Sequence, residues 1–227
     1  MRLYLDTANP LEWSLPEGCP PLQGVTTNPT LIHRAGFQAT LKTYLYLVDQ
    51  AGERKVPELM LQGLRPEAGE VMAWLDELLP ASARARTRLI IKVPCHPDWQ
   101  HVIETLRQWD IPFLITGVSN PMQLLWAKTV GAAYVAPYLG RIEAAGRDPW
   151  PLVEAAVRLQ DSGVKLVAAS IRNEETFTRL MAAGSYSATV QPGFAKGLVL
   201  DDLTETAIRQ FNQDIEDSQK HPPVHPA

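Results

Sequence analysis

The chain has 227 residues, 45% hydrophobic and 20% charged, with a formal net charge of -4 and an isoelectric point near 5.7. That balance describes a globular protein with ample material for a core and excludes a basic nucleic-acid-binding surface. No stretch approaches the roughly 18 apolar residues of a membrane span.

Apolar runs read as strands at 2–6, 22–26, 57–62, 88–93, 111–116, 133–138, 164–169 and 186–191. Helical patterns lie between them. Leu41, Tyr44, Leu45 and Val48 follow an i, i+3, i+4, i+7 spacing, with Gly52 as the stop. Val71, Trp74, Leu75 and Leu78 repeat it, ended by Pro80. Trp99, Val102, Ile103 and Leu106 do so again, opened by Pro97 near the first turn. Later helices fit 119–131, 149–162, 173–183 and 201–218, and Arg84, Arg86 and Arg88 read as a solvated helix end.

Eight strands alternating with helices predict a (β/α)₈ TIM barrel with a C-terminal helix, one domain over residues 1–218. A doubly wound open sheet is the second choice, but neither GxGxxG nor a P-loop supports it. Residues 219–227 read as a disordered tail. Its His221 and His225 have no partners nearby in sequence, and His33, His96 and His101 share no ligand-like spacing with acids, so neither metal nor other cofactor is expected. Cys19 and Cys95 form neither a disulfide framework nor a zinc spacing. With an N-terminus too short in apolar length for a signal peptide, they suit a reducing cytoplasm.

Lys92 ends the apolar run Leu89-Ile90-Ile91 and precedes Val93-Pro94. Desolvation penalises an ammonium in such a place, so the amine is expected to be paired, to reach solvent, or to serve as a neutral nucleophile for carbonyls. The barrel supplies the tie-break, because its chemistry collects at the C-terminal ends of strands. Those ends carry Asp6, Thr26-Thr27-Asn28, Gln62, Lys92, Thr116, Tyr138 with Arg141, and Ser170 with Arg172; the eighth, near Gln191-Pro192, is less clear. Lys92 can form an imine with a ketone and turn it into an electron sink. Asp6 is a candidate acid/base for the hydroxyl that loses its proton during carbon–carbon cleavage. Arg141 and Arg172 can hold a phosphate, helped by Ser170, unless they make only surface salt bridges. Asn28 also suits a helix N-cap ahead of Pro29.

The segments Leu3-Tyr4-Leu5-Asp6-Thr7-Ala8, Gly24-Val25-Thr26-Thr27-Asn28-Pro29-Thr30, Lys92-Val93-Pro94, Ala136-Pro137-Tyr138-Leu139-Gly140-Arg141-Ile142 and Ala168-Ala169-Ser170-Ile171-Arg172-Asn173 resemble the transaldolase family. The likeness is strongest to its small members, among them fructose-6-phosphate aldolase. It runs in order over nearly the whole chain, to about residue 215. The resemblance implies Lys92 as the Schiff-base lysine and Asp6 as the acid/base. It implies Asn28 and Thr26 as binders of substrate hydroxyls and Arg141, Ser170 and Arg172 as the phosphate group. Gln62, Thr116 and Tyr138 match three residues that hold a catalytic water. Transaldolases proper carry Glu and Phe where this chain has Gln62 and Tyr138, so the resemblance leans towards the aldolase branch.

Cys95-His96, Thr116-Gly117-Val118-Ser119-Asn120, Ile171 and Gly146-Arg147-Asp148-Pro149-Trp150 depart from the family pattern. The leading expectation is a metal-independent class I aldolase that cleaves a ketose phosphate, such as fructose 6-phosphate, into dihydroxyacetone and glyceraldehyde 3-phosphate. A transaldolase that transfers the dihydroxyacetone unit is the alternative, and a non-catalytic phosphosugar-binding barrel is the third reading. The partners expected are a sugar or sugar phosphate and further copies of the chain, a pentamer or decamer by resemblance, with no nucleic acid and no membrane. Leu203, Ile208, Phe211 and Ile215 suit either that contact or the barrel's own coat.

Overall fold

The computed structural model describes residues 1–17, 19–63, 65–199 and 201–220. Eight parallel strands close into a barrel in chain order: β1 (Arg2–Asp6), β2 (Leu22–Thr26), β3 (Glu58–Gln62), β4 (Arg88–Pro94), β5 (Phe113–Val118), β6 (Tyr134–Pro137), β7 (Lys165–Ala168) and β8 (Ser187–Val190). Pairing of β8 with β1 completes the ring, which makes the fold a (β/α)₈ barrel and removes the open sheet from consideration. The helices around it are α1 (Pro29–Arg34), α2 (Leu41–Glu53), α3 (Ala68–Ala85), α4 (Gln100–Gln108), α5 (Pro121–Thr129), α6 (Leu139–Ala144), α7 (Trp150–Leu159), α8 (Glu174–Ala182), α9 (Pro192–Val199) and α10 (Asp202–Gln219).

Strand residues alternate between two cores because successive side chains point to opposite faces. Leu5, Val25, Leu59, Leu61, Leu89, Ile91 and Val93 belong to the layer between barrel and helices. Tyr4, Met60, Ile90, Leu114, Tyr134, Ala136 and Val167 fill the barrel interior. Both faces of a strand are therefore buried, which is why Leu89-Ile90-Ile91 reads as a continuous apolar run. Lys92 stands two residues beyond Ile90, on the same inner side and one layer nearer the mouth.

The opposite end of the barrel is sealed by a polar plug. The Tyr4 hydroxyl donates to Glu58 Oε2, and Arg88 Nη1 lies 3.3 Å from Glu58 Oε1. Burial first, and then the bond to Glu58, push the Tyr4 phenol far above its ordinary range.

Gly52 is the penultimate residue of α2, which ends at Glu53. A Cβ there would come within 2.9 Å of the Ala85 Cβ, so the glycine also lets α2 pack closely on α3. Several local expectations are corrected. Pro80 does not end α3. It sits on the exposed side, where water can take the carbonyl it frees, while Leu78 and Ala81 stay buried. Pro97 opens a short 3₁₀ turn, Pro97–Trp99, ahead of α4. Arg88 is no part of a helix end, since it begins β4 and pairs with Glu58. Gln219 closes α10 instead of joining a tail, and residues 221–227, with His221 and His225, lie outside the described residues. Finally, α10 buries none of its side chains, and Leu203, Ile208, Phe211 and Ile215 are all more than half exposed. They do not coat the barrel of their own chain.

Candidate active site

A cavity of about 260 Å³ opens at the C-terminal mouth of the barrel. Its walls include Asp6, Thr26, Asn28, Lys92, Tyr138, Arg141, Ser170 and Arg172, eight residues predicted from strand ends and resemblance. Lys92 is 4% exposed, and its Nζ donates to the Thr27 carbonyl at 2.6 Å. It makes no ion pair among the described residues, and the side chains of Leu114, Ala136 and Val167 give the cavity around it an apolar floor.

Hydroxyls orient the groups near it. Thr26 Oγ1 donates to Asp6 Oδ1 at 2.7 Å and lies 2.7 Å from Thr189 Oγ1. A hydroxyl has one proton, so once Thr26 gives its own to Asp6, Thr189 must be the donor in the second bond. That relay fixes the carboxylate and leaves Oδ2 for other partners. On the far wall, Thr116 Oγ1 donates to the Tyr138 hydroxyl at 2.8 Å. The phenol accepts there, which frees its own proton for the cavity. Thr116 precedes a bulge in β5 where Gly117 takes φ +74°, the left-handed conformation that glycine adopts freely.

Asn28 is the N-cap foreseen for it, and it also lies in the cavity wall. Its Oδ1 accepts from the Leu31 N–H at 3.0 Å. The cap occupies the acceptor end, so the amide nitrogen is the group left for a ligand.

The arginine wall depends on a tight backbone crossing. Leu139 and Gly140 N–H groups donate to the Ala169 and Ser170 carbonyls, at 2.9 and 3.0 Å. A Cβ on Gly140 would lie 2.6 Å from both the Ser170 oxygen and the Arg172 Nε. Ser170 itself has φ +61°, a costly left-handed conformation for a residue other than glycine, of a kind that clusters at functional sites. The Arg141 guanidinium lies 4.8 Å from the Tyr138 ring centre, which ties the two walls together.

Two predicted residues are placed differently. Thr116 reaches the cavity only through the Tyr138 hydroxyl. Gln62 is in register with Lys92 on the neighbouring strand, but it lines a separate cavity of about 20 Å³ beside Tyr44 and Trp74. Its carbonyl accepts from the Tyr44 hydroxyl at 2.8 Å.

The lining also holds residues that strand-end reasoning missed. Thr189 and Gln191 come from β8 and the turn after it, and extending the inner-side alternation along β8 identifies both. Thr30, Leu31 and Arg34 project from α1, a six-residue helix too short to show periodicity. Among the described residues no group of three or more His, Cys, Asp or Glu side chains is arranged to hold a metal ion, and no helix is long and apolar enough to cross a membrane. Burial pushes the Cys95 thiol up to about 11, so it is protonated at neutral pH.

The sequence pattern that defines the Transaldolase/Fructose-6-phosphate aldolase family matches residues 61–222. A protein of Exiguobacterium sibiricum named "Probable transaldolase" is 30% identical over 226 residues, spanning 97% of this chain and all of that one. One of the same name from Kosmotoga olearia is 32% identical, with 97% and 98% of the two chains covered. Another, from Geobacter sulfurreducens, is 28% identical over 97% of this chain and 100% of its own. With the barrel and the lysine-centred mouth it shares a sequence pattern over well beyond half its length, and the chain belongs to the transaldolase/fructose-6-phosphate aldolase family.

Proposed function

We propose that this chain is a metal-independent Schiff-base aldolase that cleaves a ketose phosphate, such as fructose 6-phosphate, into dihydroxyacetone and an aldehyde phosphate. Lys92 Nζ attacks the ketose carbonyl, and loss of water gives an imine. Asp6 takes the proton of the C4 hydroxyl as the C3–C4 bond breaks, and the bond's electrons pass into the imine to form an enamine. The aldehyde leaves. Protonation of C3 regenerates an imine, and addition of water releases dihydroxyacetone and the free lysine. Arg141, Arg172 and Ser170 hold the phosphate. Asn28 binds sugar hydroxyls, with Thr26 in the same wall. Gln62 and Thr116 act with Tyr138 on the water that delivers the last proton, and Gln62's register beside Lys92 is compatible with that role.

The observation that carries the aldolase reading is the Thr116–Tyr138 bond. It leaves the phenolic proton uncommitted on a residue that lines the same cavity as Lys92, where the enamine would await protonation. An aldolase needs that proton; a transferase must withhold it until an acceptor arrives. The relatives' shared name favours the second reading, transfer of the dihydroxyacetone unit between sugar phosphates. A non-catalytic phosphosugar binder has no use for Lys92, Asp6 and Tyr138 in one cavity. Borohydride trapping with dihydroxyacetone, followed by mass mapping, tests the site; an adduct at Lys92 is expected, and an adduct elsewhere or none ends the reading. Dihydroxyacetone release without acceptor aldehyde then separates cleavage from transfer.

The uncovered stripe of α10 supports a homo-oligomer in which that helix packs on a neighbouring copy, in keeping with the pentamer or decamer that the resemblance implies. The free cysteines support a cytoplasmic location.

A further inference from the structure

Several buried hydroxyls in and around the barrel end on backbone carbonyls. Ser187 on β8 donates to the Leu166 carbonyl at 2.9 Å, Thr87 to that of Val56 at 3.0 Å, and Thr27 to that of Met60 at 3.2 Å. Such bonds satisfy a polar group that burial would otherwise penalise, and they ask nothing of the site. Thr189, two residues beyond Ser187 on the same strand, is different. It is 2% exposed and lines the mouth cavity. Among the described residues its hydroxyl meets only another side chain, Thr26 Oγ1 at 2.7 Å.

The contact joins two strands that do not pair with each other. β8 and β2 each pair with β1, on its opposite edges, and the two threonines meet inside the ring. Asp6 ends β1 in register with Thr26, which donates to its Oδ1 at 2.7 Å. The Thr189 proton fills one acceptor position on Thr26 Oγ1, so the Thr26 proton cannot turn that way and stays on Asp6. A hydroxyl that accepts one hydrogen bond is also polarised into a better donor for the next. Oδ1 is thereby held, and Oδ2 is the oxygen left to face a substrate.

We infer that Thr189 is a positioning residue for carbon–carbon cleavage. Acting through Thr26, it holds Asp6 with Oδ2 turned to the C4 hydroxyl. This rests on the Schiff-base reading above, in which Asp6 takes that hydroxyl's proton. Lys92 stands on β4, across the ring from β8, so Thr189 has no part in forming the imine. Its loss is a defect confined to the step that breaks the bond.

The test compares two variants of the full-length protein. Thr189→Val keeps the shape and removes the hydroxyl, while Thr189→Ser keeps the hydroxyl and removes a methyl. Single-turnover release of the aldehyde phosphate from fructose 6-phosphate gives a maximal rate and a half-saturation. Borohydride trapping of dihydroxyacetone at Lys92 gives a second half-saturation, for imine formation alone. In Thr189→Val the maximal rate is expected to fall about tenfold, corresponding to about 1.4 kcal/mol, with both half-saturations within about twofold of the unmodified chain. Thr189→Ser should keep the rate within about twofold. The inference is overturned if Thr189→Val keeps its rate, or if its trapping half-saturation rises as far as its rate falls. It is equally overturned if Thr189→Ser loses as much as Thr189→Val, since packing and not the hydroxyl would then matter. Thr189→Ala takes the same comparison should Thr189→Val not fold. Failure of dihydroxyacetone to label Lys92 in the unmodified chain would bring down the Schiff-base reading, and the positioning role with it.

Discussion

On the proposed mechanism, Gly140→Ala is expected to separate phosphate binding from imine chemistry by changing a residue that carries neither. The added Cβ would sit 2.6 Å from the Ser170 oxygen and 2.6 Å from the Arg172 Nε. An arginine side chain can swing away, but the carbonyl cannot. It accepts the Gly140 N–H at 3.0 Å and belongs to a residue already in a left-handed conformation. The start of α6 and the turn after β7 must therefore part by several tenths of an ångström. Overpacking of this kind costs about 1–3 kcal/mol, which for a chain of this length lowers Tm by roughly 2–12 °C. Arg141, Ser170 and Arg172 all ride on the displaced segments. Losing one charge-assisted contact of about 1.5–3 kcal/mol raises KM for a phosphorylated substrate roughly ten- to over a hundredfold. Lys92, Asp6 and Thr26 lie on β4, β1 and β2, away from the crossing. Steady-state kinetics with a ketose phosphate and its unphosphorylated analogue, beside borohydride trapping with dihydroxyacetone, read out both effects. Equal rises of KM for the two substrates, or no rise for either, would refute the view that the crossing positions a phosphate site.

Tyr138→Phe keeps the ring stacked on Arg141 but removes the phenolic proton. Release of dihydroxyacetone without acceptor is expected to fall about a hundredfold, the low end for general acid–base help, while transfer to an added aldehyde falls less; a parallel decline would mean the phenol serves only site geometry. Arg141→Ala and Arg172→Ala should each raise KM for phosphorylated aldehydes about tenfold or more, with little change for their unphosphorylated analogues, and equal changes would make both arginines structural. Tyr4 loses its proton at a higher pH folded than at its ordinary 10.0, so its contribution to stability is complete below about pH 10 and is lost as pH rises through and beyond that value. Thermal melts should show alkaline destabilisation beginning near pH 10 and blunted in Tyr4→Phe; an unchanged slope would sever Tyr4 from it. Cys95, raised to about 11 against an ordinary 9.0, holds about a hundredfold less thiolate at pH 8 than an unperturbed thiol, so iodoacetamide should label it correspondingly slowly in the native protein and quickly in urea. Rapid native labelling would show that the half-buried setting does not hold the thiol protonated.

Much of this protein is determined by local signals in its sequence. Runs apolar on both faces mark strands buried between a packed barrel interior and a coat of helices, and all eight strands lie close to where those runs stand. Polar residues closing the runs mark the mouth, because inner-side alternation carries Asp6, Lys92 and Tyr138 to one end of one ring. Single punctuating residues are read less well. Pro80 is a breaker by propensity, yet its helix runs on to Ala85, since an exposed position outweighs a local preference. Only the tertiary structure decided which side chains meet. The Thr189–Thr26–Asp6 relay, the Thr116–Tyr138 bond and the Gly140–Ser170 crossing join residues far apart in sequence, and no local pattern encodes their distances. The same holds for Arg34. In the sequence it is one basic residue near a helix end, and closure of the ring sets it across the mouth from Arg141.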